Sequence, residues 1–187
     1  MKFLPKEILE APVEGRNLIG KFLGDNLPQK PSLVVFLRHL GCIFCRETVE
    51  DLRLFSSEMA ALPPILFVYP DTLRKGEDFF SRFWPEAKVV ADPSAVLYGM
   101  ANVQEGNLLE LAGPEVWVSA VRALAKGNFY GVQGRHLLRM PGVFLVLKDR
   151  ILWEHQYRHI GDEPDWSKLP GCTPLPNGEY DTGILPA

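Results

Sequence analysis

The sequence predicts an α/β fold in which a mixed central sheet is flanked by helices. Residues 33–37 and 65–69 are continuous apolar runs of strand length, which is typical of strands buried on both faces. Between them, apolar residues recur every three to four positions, which indicates a connecting helix and a parallel βαβ unit. Later, residues 143–147 and 151–157 are two further runs separated by a short turn, which indicates an antiparallel hairpin.

The βαβ unit has clear boundaries. Gly41 ends the first strand just before Cys42, and the helical pattern starts at Cys45. Pro63-Pro64 then stops the helix, because proline cannot continue it. The predicted apolar face of this helix consists of Val49, Leu52, Phe55, Met59 and Leu62.

The middle of the chain is predicted to be mainly helical. Helices are expected at 77–84, at 94–100 and from Pro114 to Gly127, with a short strand at 88–91. Proline is favoured at the first helical position, which supports a start at Pro114. Three residues give this last helix its apolar face, namely Trp117, Val121 and Leu124.

Length and composition favour one globular domain. At roughly 100–200 residues per domain, a chain of 187 residues is expected to form a single domain over 1–187. Residues 1–30 are interpreted as an entry segment, and residues 160–187, rich in proline and glycine, as an irregular tail lying on the domain. A chain of this size needs no disulfide to hold its core.

Charge and hydropathy narrow the classes of function and location. The net charge of −3 argues against broad electrostatic binding to nucleic acid, which needs a basic face. No apolar run approaches the ~18–20 residues of a membrane span, and the first residues lack the apolar region of a signal peptide. Three cysteines do not make a secreted disulfide framework, so a cytoplasmic, thiol-reducing location is expected, with no membrane partner.

Two of the cysteines, Cys42 and Cys45, form a C-x-x-C at the predicted strand–helix junction. A helix N-terminus favours an anion and therefore lowers the pKa of a thiol placed there. We expect Arg38, His39 and Arg46 to add positive charge nearby. The prediction is that Cys42 is an exposed attacking thiolate, whereas Cys45 is more buried and resolves the mixed disulfide.

Zinc binding and an inert structural role are the alternatives for the pair. A tetrahedral zinc site usually has four ligands, often from a second closely spaced pair. The remaining candidate ligands form no such pair; they are Cys172, His39, His136, His155 and His159. The redox interpretation is therefore preferred, with no metal and no bound organic cofactor. Cys172 is a candidate resolving thiol or a spectator.

Other residues are candidates for supporting the pair. Met140-Pro141 stands immediately before a predicted strand, where proline is tolerated. Arg139 precedes it and is a candidate to steady a thiolate on Cys42, the alternative being a solvated arginine. Glu47 is a candidate proton shuttle for Cys45, although the helix dipole alone favours glutamate in a first turn.

The segment RHLGCIFCRE (38–47) resembles the AhpC/TSA-type, peroxiredoxin-like proteins that include selenoprotein U. The stretches KVVADPSAVLYGMANV (88–103) and GVFLVLKDRILWEHQYRHIGDEPD (142–165) are similar as well, so the resemblance covers most of residues 30–165. It implies a thioredoxin-like fold, with Cys42 at the position that selenocysteine takes in some relatives. It also implies a cis peptide before Pro141 and a loop there that packs against the cysteine pair.

One departure from the family pattern bears on the substrate. Typical peroxiredoxins have threonine or serine three residues before the peroxidatic cysteine, whereas this chain has His39 there. We therefore expect a thiol–disulfide oxidoreductase with an antioxidant role, acting on a disulfide or peroxide and reduced by a dithiol of the thioredoxin or glutathione type. Two alternatives remain: a peroxidase for hydrogen peroxide or lipid (endo)peroxides, and a non-catalytic binding module that uses Ile43-Phe44.

Overall fold

The computed structural model describes residues 2–58, 62–103, 105–128, 138–166 and 169–170. Met59, His136 and Cys172 lie outside these residues, as does most of the predicted tail, so the expectations about them stay predictions.

Seven strands and six α-helices are present in the described part of the chain. In chain order they are β1 (Lys2–Phe3), α1 (Lys6–Leu9), β2 (Glu14–Arg16), β3 (Ser32–Phe36), α2 (Ile43–Glu58), β4 (Ile65–Tyr69), α3 (Leu73–Phe83), β5 (Lys88–Ala91), α4 (Val96–Met100), α5 (Leu108–Ala112), α6 (Pro114–Ala125), β6 (Gly142–Leu147) and β7 (Arg150–His155). A short 3₁₀ helix covers Gly24–Asn26. None of the helices among these residues is long and apolar enough to cross a membrane.

The strands form one mixed sheet in the order β1-β7-β6-β3-β4-β5-β2. β3 pairs parallel with β4, and β4 pairs parallel with β5. β6 pairs antiparallel with both β3 and β7. The predicted βαβ unit and the predicted hairpin are both confirmed, and so is the mixed sheet flanked by helices.

Apolar clusters cover both faces of the sheet. Alternate residues of β3 point to opposite faces: Val35 belongs to the cluster that includes α2, whereas Val34 belongs to the cluster on the other face. All five residues of β3 are buried, as the continuous apolar run predicts. On α2, Val49 and Leu52 are wholly buried, which confirms the inner part of its predicted apolar face.

The topology brings two predicted segments to the same end of the sheet. β3 runs into the connection that carries Cys42, and Gly142 at the start of β6 pairs with Phe36 at the end of β3. Because β6 is antiparallel to β3, the Met140-Pro141 segment therefore lies at the edge from which α2 starts.

Helix α3 begins earlier than the sequence predicts. It starts at Leu73 rather than at residue 77, and Thr72 precedes it in an extended conformation suited to a cap. The acids at Glu77 and Asp78 therefore lie in the second turn rather than in the first.

The predicted apolar face of α6 is wrong. Trp117, Val121 and Leu124 are 71, 68 and 43% exposed. The buried side is formed instead by the residues Val116, Ser119 and Ala123.

Close backbone packing explains part of this orientation. A side chain at Gly161 would place its Cβ 2.5 Å from Cβ of Ser119, so only small residues fit where the chain crosses α6. The rest of the explanation is an ion cluster between α6 and α2, which is described with the candidate site.

Candidate active site

Cys42 and Cys45 lie where β3 leads into α2. The Cys42 N–H donates to the His39 carbonyl oxygen at 3.0 Å, and the Cys42 carbonyl accepts from the Arg46 N–H at 3.2 Å. Cys42 is therefore the residue from which the helix starts, and Cys45 follows one turn later. The predicted placement of the pair at a helix N-terminus is confirmed, and both thiols are free.

Both cysteines are buried, which differs from the prediction of an exposed Cys42. Cys42 is 1% exposed and Cys45 is 4% exposed. The two belong to the apolar cluster between α2 and the sheet, together with Leu37, Leu40 and Met140. The prediction was wrong because the apolar cluster that covers Cys42 includes Met140 from a distant part of the chain as well as the neighbouring Leu37 and Leu40.

The two thiols have opposite electrostatic surroundings. A hydrogen bond from the Cys45 thiol, the positive charge of Arg38 and backbone hydrogen bonds from Cys45 and Phe44 outweigh burial and lower the pKa of Cys42 to about 6. Burial, followed by the hydrogen bond to Cys42, raises the pKa of Cys45 well above its usual value. At neutral pH this arrangement favours a thiolate on Cys42 and a protonated thiol on Cys45.

Arg38 contacts both sulfur atoms. Its Nη1 lies 4.0 Å from Sγ of Cys42, and its backbone N–H donates to Sγ of Cys45 at 3.2 Å. The same Nη1 lies 3.0 Å from Nε2 of His39. Arg38 therefore supplies the positive charge that the sequence predicted beside the cysteine pair.

His39 and Arg46, the other two residues predicted to add positive charge, differ from Arg38 in charge or in contacts. His39 is 2% exposed, and burial, aided by the charge of Arg38, lowers its pKa to about 4. The expectation of a positive charge on His39 is therefore wrong, because the imidazole is neutral at physiological pH. The guanidinium of Arg46 lies 5.4 Å from the ring centroid of Phe83, in a cation–π contact with α3.

The segment before β6 lies against the pair, as expected. Met140 is buried in the same cluster as both cysteines, and Pro141 lines a small internal cavity together with Cys45. The peptide before Pro141 is trans, so the expectation of a cis bond is wrong. Trans is the more stable isomer of an X–Pro bond, and the close packing here is achieved with it.

The described contacts of Arg139 are on the other side of this segment. Its Nη1 donates to the carbonyl of Val103 at 3.2 Å, and its Nη2 lies 3.6 Å from the Glu105 carboxylate. Its guanidinium also lies 5.5 Å from the ring centroid of Tyr98. The hydroxyl of Tyr98 lies within hydrogen-bond distance of the carbonyl oxygens of Leu37 and Val68, so this ring joins the carboxyl ends of β3 and β4.

Glu47 joins α2 to α6. It is 1% exposed, and its two oxygens accept from Nε and Nη2 of Arg122 at 2.9 and 3.0 Å. Lys126 Nζ lies 2.9 Å from the same carboxylate. Burial opposes ionisation, but the hydrogen bonds from Arg122 and Lys126 prevail and lower the pKa of Glu47. The carboxylate is therefore ionised and engaged with α6.

Sequence reasoning missed the cluster around Glu47. Arg122 and Lys126 are four apart on α6, as are Glu47 and Asp51 on α2, so each pair shares a helix face. This spacing was the available signal. Glu163 completes the group from the segment after β7, and no local pattern marks it.

A cation already occupies the point where the three carboxylates meet. Oxygens of Glu47, Asp51 and Glu163 lie within 4.8 Å of one another. Lys126 Nζ is 2.9, 2.6 and 3.7 Å from these three groups. The cluster therefore contains its own counter-ion, and its chemistry is that of an ion network.

A groove of about 520 Å³ opens beside the cysteine pair. It lies between the N-terminal segment, the end of α4 and the β6–β7 hairpin, and it is mostly lined by apolar residues and carboxylates. Pro141 and Tyr157 line both this groove and the internal cavity next to Cys45. These two residues therefore lie between the groove and the cavity that Cys45 lines.

Comparison with known proteins gives a family match. The model of the family described as AhpC/TSA antioxidant enzyme matches residues 51–159. The match begins after Cys45, so it covers β4 to β7 and α3 to α6 but neither β3, nor the start of α2, nor the cysteine pair.

A curated relative agrees with this match. Peroxiredoxin-like 2A of Xenopus tropicalis is 29% identical over 136 residues, which cover 71% of this chain and 58% of that protein. The chain thus spans less than two thirds of the relative's length.

The structural neighbours are peroxiredoxins. A variant of Xylella fastidiosa PrxQ gives a TM-score of 0.61 at 14% identity, covering 85% of this chain and 86% of that one. Reduced Prx3 of Vibrio vulnificus, solved in complex with hydrogen peroxide, gives 0.55 at 9% identity, covering 82 and 84%. At these identities the likeness shows the fold alone, and it confirms the predicted thioredoxin-like fold.

Proposed function

The chain belongs to the AhpC/TSA antioxidant enzyme family, and from this premise we propose that it is a thiol oxidoreductase whose attacking residue is Cys42 and whose resolving residue is Cys45. One observation carries the assignment. The two buried thiols are hydrogen-bonded to each other at the start of α2, with the pKa of Cys42 lowered to about 6 and that of Cys45 raised. This asymmetry gives each cysteine a distinct role.

With a disulfide substrate, the Cys42 thiolate attacks one substrate sulfur and releases the other as a thiolate. Cys45 then attacks Sγ of Cys42, its proton passes to the sulfur that departs, and the Cys42–Cys45 disulfide forms. The substrate gains two electrons and leaves as a dithiol. A thiol reductant, either one dithiol of the thioredoxin type or two monothiols of the glutathione type, returns two electrons to the protein by the reverse exchange and leaves as a disulfide.

Burial of Cys42 favours a second candidate, reduction of a small or lipid peroxide. A protein disulfide reaches a sulfur that is 1% exposed only after the residues that cover it move, whereas a peroxide needs less room. In this reaction the thiolate attacks the O–O bond and becomes a sulfenic acid, while the leaving alkoxide takes up a proton. Cys45 then displaces hydroxide, which leaves as water carrying the Cys45 proton, and the same disulfide forms.

Counting thiols tests the shared mechanism. After reduction and then one equivalent of oxidant, we expect wild type to lose two of its three thiols to a Cys42–Cys45 disulfide. Cys45→Ser is expected to stop at a mixed disulfide or sulfenic acid, and Cys42→Ser to keep its thiols. Cys172→Ser is the matched control and should behave as wild type. A wild type that keeps all three thiols under oxidant would contradict the mechanism and favour a non-catalytic binding module.

Single-turnover rates separate the two substrates. Oxidation of the reduced protein is followed by thiol loss with hydrogen peroxide, an alkyl hydroperoxide and a small protein disulfide, each at equal concentration. Faster oxidation by the peroxides supports the peroxidase, and faster oxidation by the disulfide supports the disulfide oxidoreductase.

A further inference from the structure

His39 lies in the connection between β3 and Cys42, and the redox mechanism does not require its side chain. It is buried, its ring contacts Arg38, and its backbone carbonyl accepts the hydrogen bond from the Cys42 N–H. We propose that His39 is a positioning residue whose neutral ring accepts a hydrogen bond from Arg38 and holds that guanidinium against the Cys42 sulfur. This inference rests on the proposed function of Cys42.

The chemistry of the two side chains sets the direction of the hydrogen bond. A guanidinium has only donors, so Nε2 of His39 must be the acceptor at 3.0 Å from Nη1 of Arg38. An imidazole that accepts on Nε2 carries its proton on Nδ1 and has no net charge. Burial, which lowers the pKa of His39 to about 4, agrees with this protonation state.

One guanidinium nitrogen joins the histidine to the cysteine. Nη1 of Arg38 carries two N–H groups, and it faces Nε2 of His39 at 3.0 Å and Sγ of Cys42 at 4.0 Å. With one N–H directed to the ring, the other remains for the sulfur. Loss of the ring acceptor would remove one of the contacts that hold the Arg38 guanidinium near the sulfur.

A packing role alone does not explain an imidazole at this position. Within the described part of the chain, Nδ1 of His39 is buried without a hydrogen-bond partner. An unpaired buried donor destabilises the folded state, whereas an apolar side chain would fill the space without that cost. The charged groups that face His39 are Arg38, on the same connection, and Asp71 and Lys75, which form an ion pair at 2.8 Å before and within α3.

Two substitutions separate positioning from packing. In His39→Gln, a side-chain oxygen takes the place of Nε2 and keeps the acceptor, whereas His39→Leu fills similar space without one. Both are made with Cys172→Ser, and the Cys42 pKa is measured by pH titration of thiolate absorbance and by pH-dependent alkylation read at the Cys42 peptide.

We expect His39→Leu to raise the pKa of Cys42 and His39→Gln to stay close to wild type. At a pH below the pKa of Cys42, each increase of one unit in that pKa would lower the thiolate fraction about tenfold. The alkylation rate would fall by the same factor. In an Arg38→Met background, His39→Leu should have no further effect, because the ring acts through Arg38. Thermal unfolding of each variant confirms that it is folded.

The outcomes distinguish this inference from the proposed function. If the wild-type pKa of Cys42 is near the free-thiol value of ~8.5, the activated thiolate of the proposed function is wrong. If the wild-type value is low and a folded His39→Leu keeps it, the proposed function stands and the positioning role is wrong. An equal effect of His39→Leu with and without Arg38 would also overturn the positioning role.

Discussion

Helices α2 and α6 pack together on one side of the sheet but bury different kinds of surface. α2 directs its apolar residues inward, and Val49 and Leu52 are wholly buried. α6 directs small residues and its cations toward α2, and it leaves Trp117 and Val121 exposed. The two helices have equally clear apolar stripes in the sequence, yet only one stripe faces the core.

The difference shows which interaction fixes the rotation of each helix. On α2 the apolar stripe is the largest contribution, so periodicity predicts the buried face correctly. On α6, turning the stripe inward would remove Arg122 from Glu47 and leave a buried carboxylate without its bidentate partner. That loss is expected to cost about 3–5 kcal/mol, and the turn would also expose Val116 and Ala123, which are buried now.

Removing the cation of this buried pair is expected to have the largest effect on stability. In Arg122→Met, Glu47 keeps only Lys126 as a direct cationic partner, so we expect a loss of about 3 kcal/mol in the free energy of unfolding. Denaturant unfolding at neutral pH measures it. Lys6→Met is the control, because Lys6 forms an exposed i,i+4 pair with Glu10, and it should unfold like wild type. Equal losses of unfolding free energy from the two substitutions would show that the Glu47–Arg122 pair does not fix the rotation of α6.

The same comparison explains what could be predicted from the sequence. The βαβ unit, the hairpin and the placement of Cys42 at a helix start depend on local patterns: apolar runs, period changes and the breaks at Gly41 and Pro63. These features were predictable because each is encoded within a few consecutive residues.

The incorrect predictions about side-chain burial and charge depend on tertiary packing. Cys42 is buried in an apolar cluster that includes Met140 from the segment before β6, and His39 is neutral because burial and Arg38 act on it together. The partner of Glu47 lies 75 residues away on α6. Spacing within one segment shows which side chains share a face, but not which distant segment covers that face.

Glu163 provides a pH-dependent test of the contact between the two helices. Burial and the charges of Glu47 and Asp51 raise the pKa of Glu163 from its ordinary value of 4.5 to about 8. A raised pKa in the folded state means that the folded protein binds the proton more tightly than the unfolded chain. The stability that this proton contributes is complete below about pH 4.5 and is lost as the pH rises through about 8.

Glu163→Gln should therefore flatten this part of the stability profile. Glutamine keeps the shape of the protonated acid, so the variant is expected to match wild type at pH 5. At pH 8 it should be the more stable of the two, since each tenfold difference in proton affinity between the folded and unfolded states corresponds to about 1.4 kcal/mol. Urea unfolding at several pH values measures the difference, and Glu86→Gln controls for loss of a surface charge. Parallel profiles for wild type and Glu163→Gln would rule out a proton held between α2, α6 and Glu163.

The smallest expected effect comes from making one substitution on both helices. Val49→Ala removes two wholly buried methyl groups from α2 and should cost about 1.5–2 kcal/mol, because each buried group contributes about 0.8 kcal/mol and a cavity adds to it. Val121→Ala changes a side chain that is 68% exposed, so its effect should stay within about 0.5 kcal/mol. Denaturant unfolding measures both losses of stability. The midpoints are compared at the same dependence of the unfolding free energy on denaturant concentration. If Val121→Ala costs as much as Val49→Ala, the apolar stripe of α6 is covered in solution, and the contrast between the two helices disappears.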